Sequence, residues 1–346
     1  MKKQERTKLI IKIEAAILCL ALIALGLLVF LGIRKGNQLE PEQQYEETQE
    51  LQTGGTEDNT QETGERPQLS DTQTQEEIPT IDSDLVFAGS KQWLFYKSTQ
   101  DGDTMADYYA ENDFSEKQME NIAAQLEEQA AQIEEKGAKF VLLIVPNKEV
   151  IYDQFMPEDM RRDADVESRT DKLAAYLQEH TDLDVIYVKD KFLSMRDDEK
   201  LIYYKTDTHW NMRGCYVAVQ EILQDLYGKS KPIEDVEFQE HLYDYAGDLA
   251  AKANLGAEYN IDTVYFFGAD QVTDEDKVED SLLLVGDSFA EFMKIEMEYY
   301  FNGVVDGNIE KYGYNFYTAT SDNLGTNPDV VVWECCERHI ARLEQK

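Results

Sequence analysis

The sequence predicts a three-layer α/β domain built on a mostly parallel sheet. Three observations carry this reading. Apolar runs of strand length recur along the chain: "KFVLLIVP", "DVIYV", "SLLLVGDSF" and "DVVVWECC". Stretches of helix length with apolar residues on one side separate them, as in alternating βα units. The chain is also 42% apolar and 11% aromatic, enough for a core despite a formal net charge of −37.

The elements follow in order. Residues 1–14 are basic and read as a cytoplasmic tail. Residues 15–33, "AAILCLALIALGLLVFLGI", form an uninterrupted apolar run closed by Arg34-Lys35. Such a run crosses a hydrocarbon layer of roughly 30 Å as one helix. No small-residue cleavage site follows, so the expectation is an uncleaved single-pass anchor. Four Lys/Arg lie before residue 9, which places the N-terminus in the cytoplasm and the remainder outside the cell. Residues 34–83 are mostly Gln, Glu, Thr and Gly; they bury too little apolar surface to order and read as a disordered acidic linker. The catalytic domain is expected over 84–346.

That domain opens on "LVFAGSKQWLFYKS", a hairpin turning at Gly89 with Trp93, Phe95 and Tyr96 for the core. A long helix follows, capped by Ser115 with Gln118 three residues on and ended by Gly137. The strand "KFVLLIVP", the helix "ESRTDKLAAYLQEH" and a strand over Asp184–Val188 come next. Another helix begins near Asn211. The segment between Gly228 and Asp280 is irregular and reads as an insertion or extra strands on the same domain. Strands starting at Ser281 and Asp329 complete the sheet.

The charge balance excludes nucleic-acid binding, which needs a basic face. Cys19 falls in the apolar run, and Cys215, Cys335 and Cys336 read as buried thiols, because adjacent cysteines bridge only with strain. There is no C-x-x-C pair, and Asp207 and His209 supply only two ligands, so no metal is expected.

Two short stretches carry chemistry. "LLLVGDSFAEFM" ends a strand in Gly286-Asp287-Ser288 and enters a helix. Ser288 is thereby placed at the carboxyl end of a parallel strand, where open α/β sheets bind ligands, with its N–H at a helix N-terminus. Gly286 allows a tight turn and close substrate approach. "YYKTDTHWNMRG" holds Asp207-Thr208-His209-Trp210. A serine needs a base, and the base an orienting carboxylate, which His209 and Asp207 supply. Trp210 is expected to pack on the imidazole and exclude water. Each stretch alone also reads as a plain turn and helix cap.

"VGDSF" resembles the nucleophile block of SGNH/GDSL-type hydrolases, and "TDTHWN" resembles the Asp-x-His-Trp signature of their AlgX/AlgJ and DHHW-type branch. That branch has the Asp-His block before the serine block, as here. "GSKQWLFY", "YAGDLA" (245–250) and "PDVVVWECCERHI" add weaker agreement, so the resemblance spans roughly Leu85 to Ile340. It implies an SGNH-hydrolase-like, flavodoxin-like domain with Ser288 as nucleophile, His209 as base and Asp207 as its orienter. Asp287, Gly247, Lys148, Tyr152 and Arg338 become candidates for substrate or oxyanion contacts. Glu334, Glu337 and Arg338 otherwise read as a surface charge cluster. The resemblance further implies an extracytoplasmic O-acetyltransferase, needing no cofactor, that acts on a polysaccharide with acyl groups relayed by a membrane-bound O-acyltransferase. An esterase with the same triad and a non-catalytic scaffold stay open alongside it.

Overall fold

Strands β1 (Val86–Ala88) and β2 (Leu94–Tyr96) pair antiparallel, and Gly89 in the turn between them lets the hairpin pack closely on Phe155: a Cβ there would stand 2.2 Å from the Phe155 carbonyl oxygen. Trp93, Phe95 and Tyr96 are buried, as the sequence predicts. The computed structural model describes residues 78–163, 165–242, 246–308 and 328–344. The anchor, most of the linker and Tyr245 lie outside the described residues. No helix among those described is long and apolar enough to cross a membrane.

Helix α1 (Thr104–Tyr109) precedes α2 (Glu116–Glu134), which starts in a capping box between Ser115 and Gln118. Gly137 follows α2 with φ +89°, the left-handed conformation that glycine adopts without penalty. Then come β3 (Lys139–Val145), a single turn α3 (Lys148–Ile151), and α4 (Arg169–His180), boxed by Ser168 and Asp171. Strand β4 (Asp184–Tyr187) leads to α5 (Lys189–Ser194) and α6 (Met212–Tyr227), whose first turn is capped by Asn211. The irregular segment resolves into β5 (Phe238–Leu242) paired antiparallel with β6 (Thr263–Phe267), with the short α7 (Asp248–Lys252) between them. Strand β7 (Leu282–Gly286) runs into α8 (Ser288–Tyr300), and β8 (Val304–Asn308) and β9 (Val330–Cys336) follow.

Among the described residues the main sheet has the order β4-β3-β9-β7-β8, with every pairing parallel. The mostly parallel sheet is as expected, with β1–β2 and β5–β6 as the antiparallel pairs beside it. One expectation is corrected: the strand order is not the flavodoxin-like one, because the last described strand lies at the sheet's centre. The physical reason is burial. All seven residues of β9 are buried, so it is stable only with neighbours on both sides, whereas β4 is partly exposed and takes an edge.

Alternate residues of the strands feed two cores. Val141, Leu143, Leu282, Leu284, Val330 and Val332 meet α6 and α8 on one face. Leu142, Ile144, Leu283, Val285, Val331 and Trp333 meet α2 and α4 on the other. At roughly 1.5–3 kcal/mol for each fully buried aliphatic side chain, these two layers hold the strand ends that build the site. A third cluster joins the β1–β2 hairpin to Leu249 and Ala250 of α7, and so brings α7 to the same edge. All described residues fall within one unit, Gln73–Lys346.

Candidate active site

Ser288 is the first residue of α8 and is exposed. Its N–H therefore has no acceptor within the helix and is free to meet a substrate oxygen. Asp287 caps the helix, its Oδ1 accepting from the Phe289 N–H at 3.0 Å. A Cβ on Gly286 would lie 2.6 Å from Glu334 Oε2 and 2.7 Å from Ala290 Cβ. The glycine thus serves close packing of β7 against α8 and β9, where the sequence reading gave it to substrate approach.

Asp207 and His209 lie on the loop before α6, and the structure brings both to Ser288. His209 Nε2 is 2.8 Å from Ser288 Oγ, and Nδ1 is 2.6 Å from Asp207 Oδ1. Asp207 also accepts the His209 N–H at 3.0 Å and the Asp248 N–H at 2.8 Å. Burial pushes the Asp207 carboxyl upward, but the hydrogen bond and charge of His209 and these two N–H groups outweigh it and hold the carboxyl well below the usual range. Asp207 therefore stays a carboxylate, so Nδ1 carries a proton and Nε2 is left as the acceptor for the serine hydroxyl.

The loop is braced from several sides. Asp248 accepts from the Thr208 N–H at 2.7 Å and from the Thr208 hydroxyl at 3.0 Å. Lys148, fully buried, donates to the carbonyl oxygens of Tyr204 (3.3 Å), Lys205 (3.1 Å) and Asp207 (2.6 Å). Lys148 thus shapes the Asp207 loop from beneath. Tyr152 is buried as well and accepts the Ile202 N–H at 3.1 Å. The Gly247 N–H donates to Thr206 Oγ1 at 3.2 Å, so its proton is already used. Trp210 is buried with its Nε1–H on the Phe289 carbonyl at 3.1 Å, which ties the histidine loop to α8. The rings beside His209 are Phe289, at 4.8 Å between centroids, and Phe292, at 5.6 Å.

The surface reading of the terminal charge cluster is corrected. Glu334 on β9, and Glu337 and Arg338 at the start of the 3-10 helix (Glu337–Glu344) that follows it, are buried, because the central strand ends inside the domain and the chain turns there. Glu337 accepts from the Asn147 N–H and the Ser168 hydroxyl, each at 2.9 Å, and burial pushes its carboxyl up to about 7. Arg338 Nε meets Asp101 Oδ2 at 3.2 Å, and its guanidinium lies 5.2 Å from the Phe289 ring centre. Asp248, Asp101 and His339 are site-forming residues that sequence reasoning missed. The "YAGDLA" stretch was the one available signal for Asp248; Asp101 lies 238 residues from His339, beyond any local pattern.

Among the described residues, two groups have the ligand types of a metal site, Asp207-His209-Asp248 and Asp287-Cys336-His339. In each, a histidine nitrogen lies 2.6 Å from a carboxylate oxygen, the spacing of a direct hydrogen bond.

A parallel α/β sheet with a strand-end serine, and a histidine and aspartate on a loop beside it, defines an SGNH hydrolase-like domain. The chain belongs to the family described as the SGNH hydrolase-like domain of the acetyltransferase AlgX, whose model matches residues 86–337. No curated protein matches the chain. Among solved structures it is similar to Bacillus cereus PatB1, with 13% identity over 74% of this chain and 96% of that one and a TM-score of 0.50. It is also similar to the O-acetyltransferase domain of Pseudomonas putida AlgJ, with 20% identity over 75% and 92% and a TM-score of 0.49. A DHHW family protein from Eubacterium siraeum shares 15% identity over 72% and 88%, with a TM-score of 0.48. At these identities the likeness concerns the fold alone.

Proposed function

We propose that the domain is an O-acyltransferase that moves an acyl group, acetyl in the first instance, through Ser288 to a hydroxyl of a polysaccharide. The observation that carries this is the unbroken chain Asp207–His209–Ser288, with contacts of 2.6 and 2.8 Å. His209 Nε2 takes the serine proton as Oγ attacks the acyl carbonyl carbon. The oxyanion so formed accepts from the Ser288 N–H, where the helix terminus favours negative charge. Collapse expels the donor oxygen, which leaves with the proton from Nε2. An acceptor hydroxyl then gives its proton to Nε2 and attacks the acyl-serine, and Ser288 departs with that proton.

Acetyl as the acyl group is supported by the family, which is described as an acetyltransferase. The N-terminal apolar run would hold the domain on the outer face of the membrane, beside an acceptor outside the cell and a membrane-bound acyl carrier. A second reading has a specific observation in its favour: Ser288 is exposed, so water also reaches the acyl-serine, and the same residues would then act as an esterase. Purified full chain given p-nitrophenyl acetate, with and without an oligosaccharide, separates the two. Acetylated sugar formed at the expense of free acetate supports transfer. Acetate release indifferent to sugar supports the esterase, and no turnover overturns both.

A further inference from the structure

A second histidine stands directly behind the nucleophile. His339 follows β9 and is buried; its Nδ1 lies 2.6 Å from Asp287 Oδ2 and its Nε2 2.8 Å from Asp101 Oδ1. With a carboxylate at each nitrogen, the ring is matched as an imidazolium donating on both sides. Arg338 and Arg342 reach Asp101 from the same turn, at 3.2 and 3.5 Å. The Asp101 segment is firmly seated, since a Cβ on Gly102 would meet the Arg338 carbonyl oxygen at 2.2 Å.

The middle carboxylate, Asp287, has two duties. Its Oδ1 caps α8, while its Oδ2 accepts from His339 and, at 3.3 Å, from the Cys336 N–H at the end of β9. The Asp287 N–H in turn donates to the buried Glu334 at 3.2 Å. Asp287 is thus a buried anion beside a second carboxyl, held in place by one direct cationic hydrogen bond. Ser288 is the next residue, so any rotation of the Asp287–Ser288 peptide moves Oγ.

We propose that His339, clamped between Asp101 and Asp287, is a positioning residue that fixes the nucleophile turn and aims Ser288 Oγ at His209 Nε2. The proposal rests on Ser288 being the nucleophile. Without the imidazolium, Asp287 loses its one direct cationic hydrogen bond, and a turn of its carboxylate toward water releases the cap at Phe289.

The test is the rate at which a fluorophosphonate acylates Ser288 in the full chain, as wild type and as His339→Gln, Asp101→Asn and Asp101→Glu, with thermal melts alongside. His339→Gln is expected to slow acylation on the order of 100-fold, the cost of about 1 Å of misplacement, with the half-saturating probe concentration unchanged. Its acid limb moves to higher pH, because Asp287 loses the hydrogen-bonded one of the two cations, His339 and Arg338, that hold it ionised. Asp101→Asn slows acylation in the same direction by less, and Asp101→Glu restores the rate. Wild-type rates in a folded His339→Gln protein overturn the proposal. If that variant does not fold, wild-type rates in Asp101→Asn, whose side chain is 48% exposed, overturn it instead. Labelling of wild type with unaffected variants removes this proposal alone, whereas a wild type that is never labelled at Ser288 removes the nucleophile assignment with it.

Discussion

His209 Nε2 stands 2.8 Å from Ser288 Oγ although 79 residues separate them in the chain. The contact is built by two independent ties. Trp210 anchors the histidine loop to α8 through the Phe289 carbonyl, and Asp207 fixes the ring from its far side.

Ser288→Ala and His209→Ala are each expected to lower turnover of an activated acetyl ester by at least about 10³-fold, and the double variant by little more, because the two act as one unit. Ser288 is exposed, so its replacement leaves stability within about 0.5 kcal/mol. Steady-state kinetics and a thermal melt check both statements.

Lys148→Met removes the donor to three carbonyl oxygens and leaves them buried. A loss of about 1–3 kcal/mol is expected, with acyl transfer falling as the Asp207 loop loosens. Urea unfolding of wild type and variant measures the first, and burst kinetics the second.

Glu296 lies fully buried on α8, and neither carboxyl oxygen has a hydrogen-bond partner among the described residues. Burial pushes this carboxyl up to about 8. The folded chain therefore keeps a proton that the unfolded chain releases near its ordinary value of about 4.3. The associated stability is complete below that value, declines as pH rises, and is gone once pH passes about 8. Glu296→Gln should abolish this decline, which amounts to a few kcal/mol in wild type. Unfolding free energies at several pH values between 5 and 8 provide the check.

Gly286→Ala places a methyl group against Ala290 and Glu334, at 2.7 and 2.6 Å. Overpacking of this kind costs about 1–3 kcal/mol, and it should slow acylation as well, since Ser288 lies two residues on. A melt and an acylation time course read the two effects together.

Local pattern carried the elements that pay their own way in sequence. Ser115 and Gln118 form the capping box that their spacing predicts, and the run "KFVLLIV" is the buried parallel strand it resembles. Ser288, His209 and Asp207 were also legible, because each sits at a junction that pattern can place. Strand order was not, since β9 enters the sheet centre through burial on both faces, and no local period encodes which neighbours it takes. The same limit hid the roles of Lys148 and Arg338. Lys148 reads as a substrate cation until three carbonyl oxygens are seen around its ammonium group, and Arg338 as a surface charge until the helical turn that follows β9 buries it.

The most direct measurement is to mix the protein with an acetyl donor, quench it within one turnover, and map the acetyl group by peptide mass spectrometry. One acetyl group is expected on Ser288, absent when His209 is replaced by alanine. An acetyl group found on another residue, or acetylation of Ser288 that proceeds equally well without His209, would contradict it.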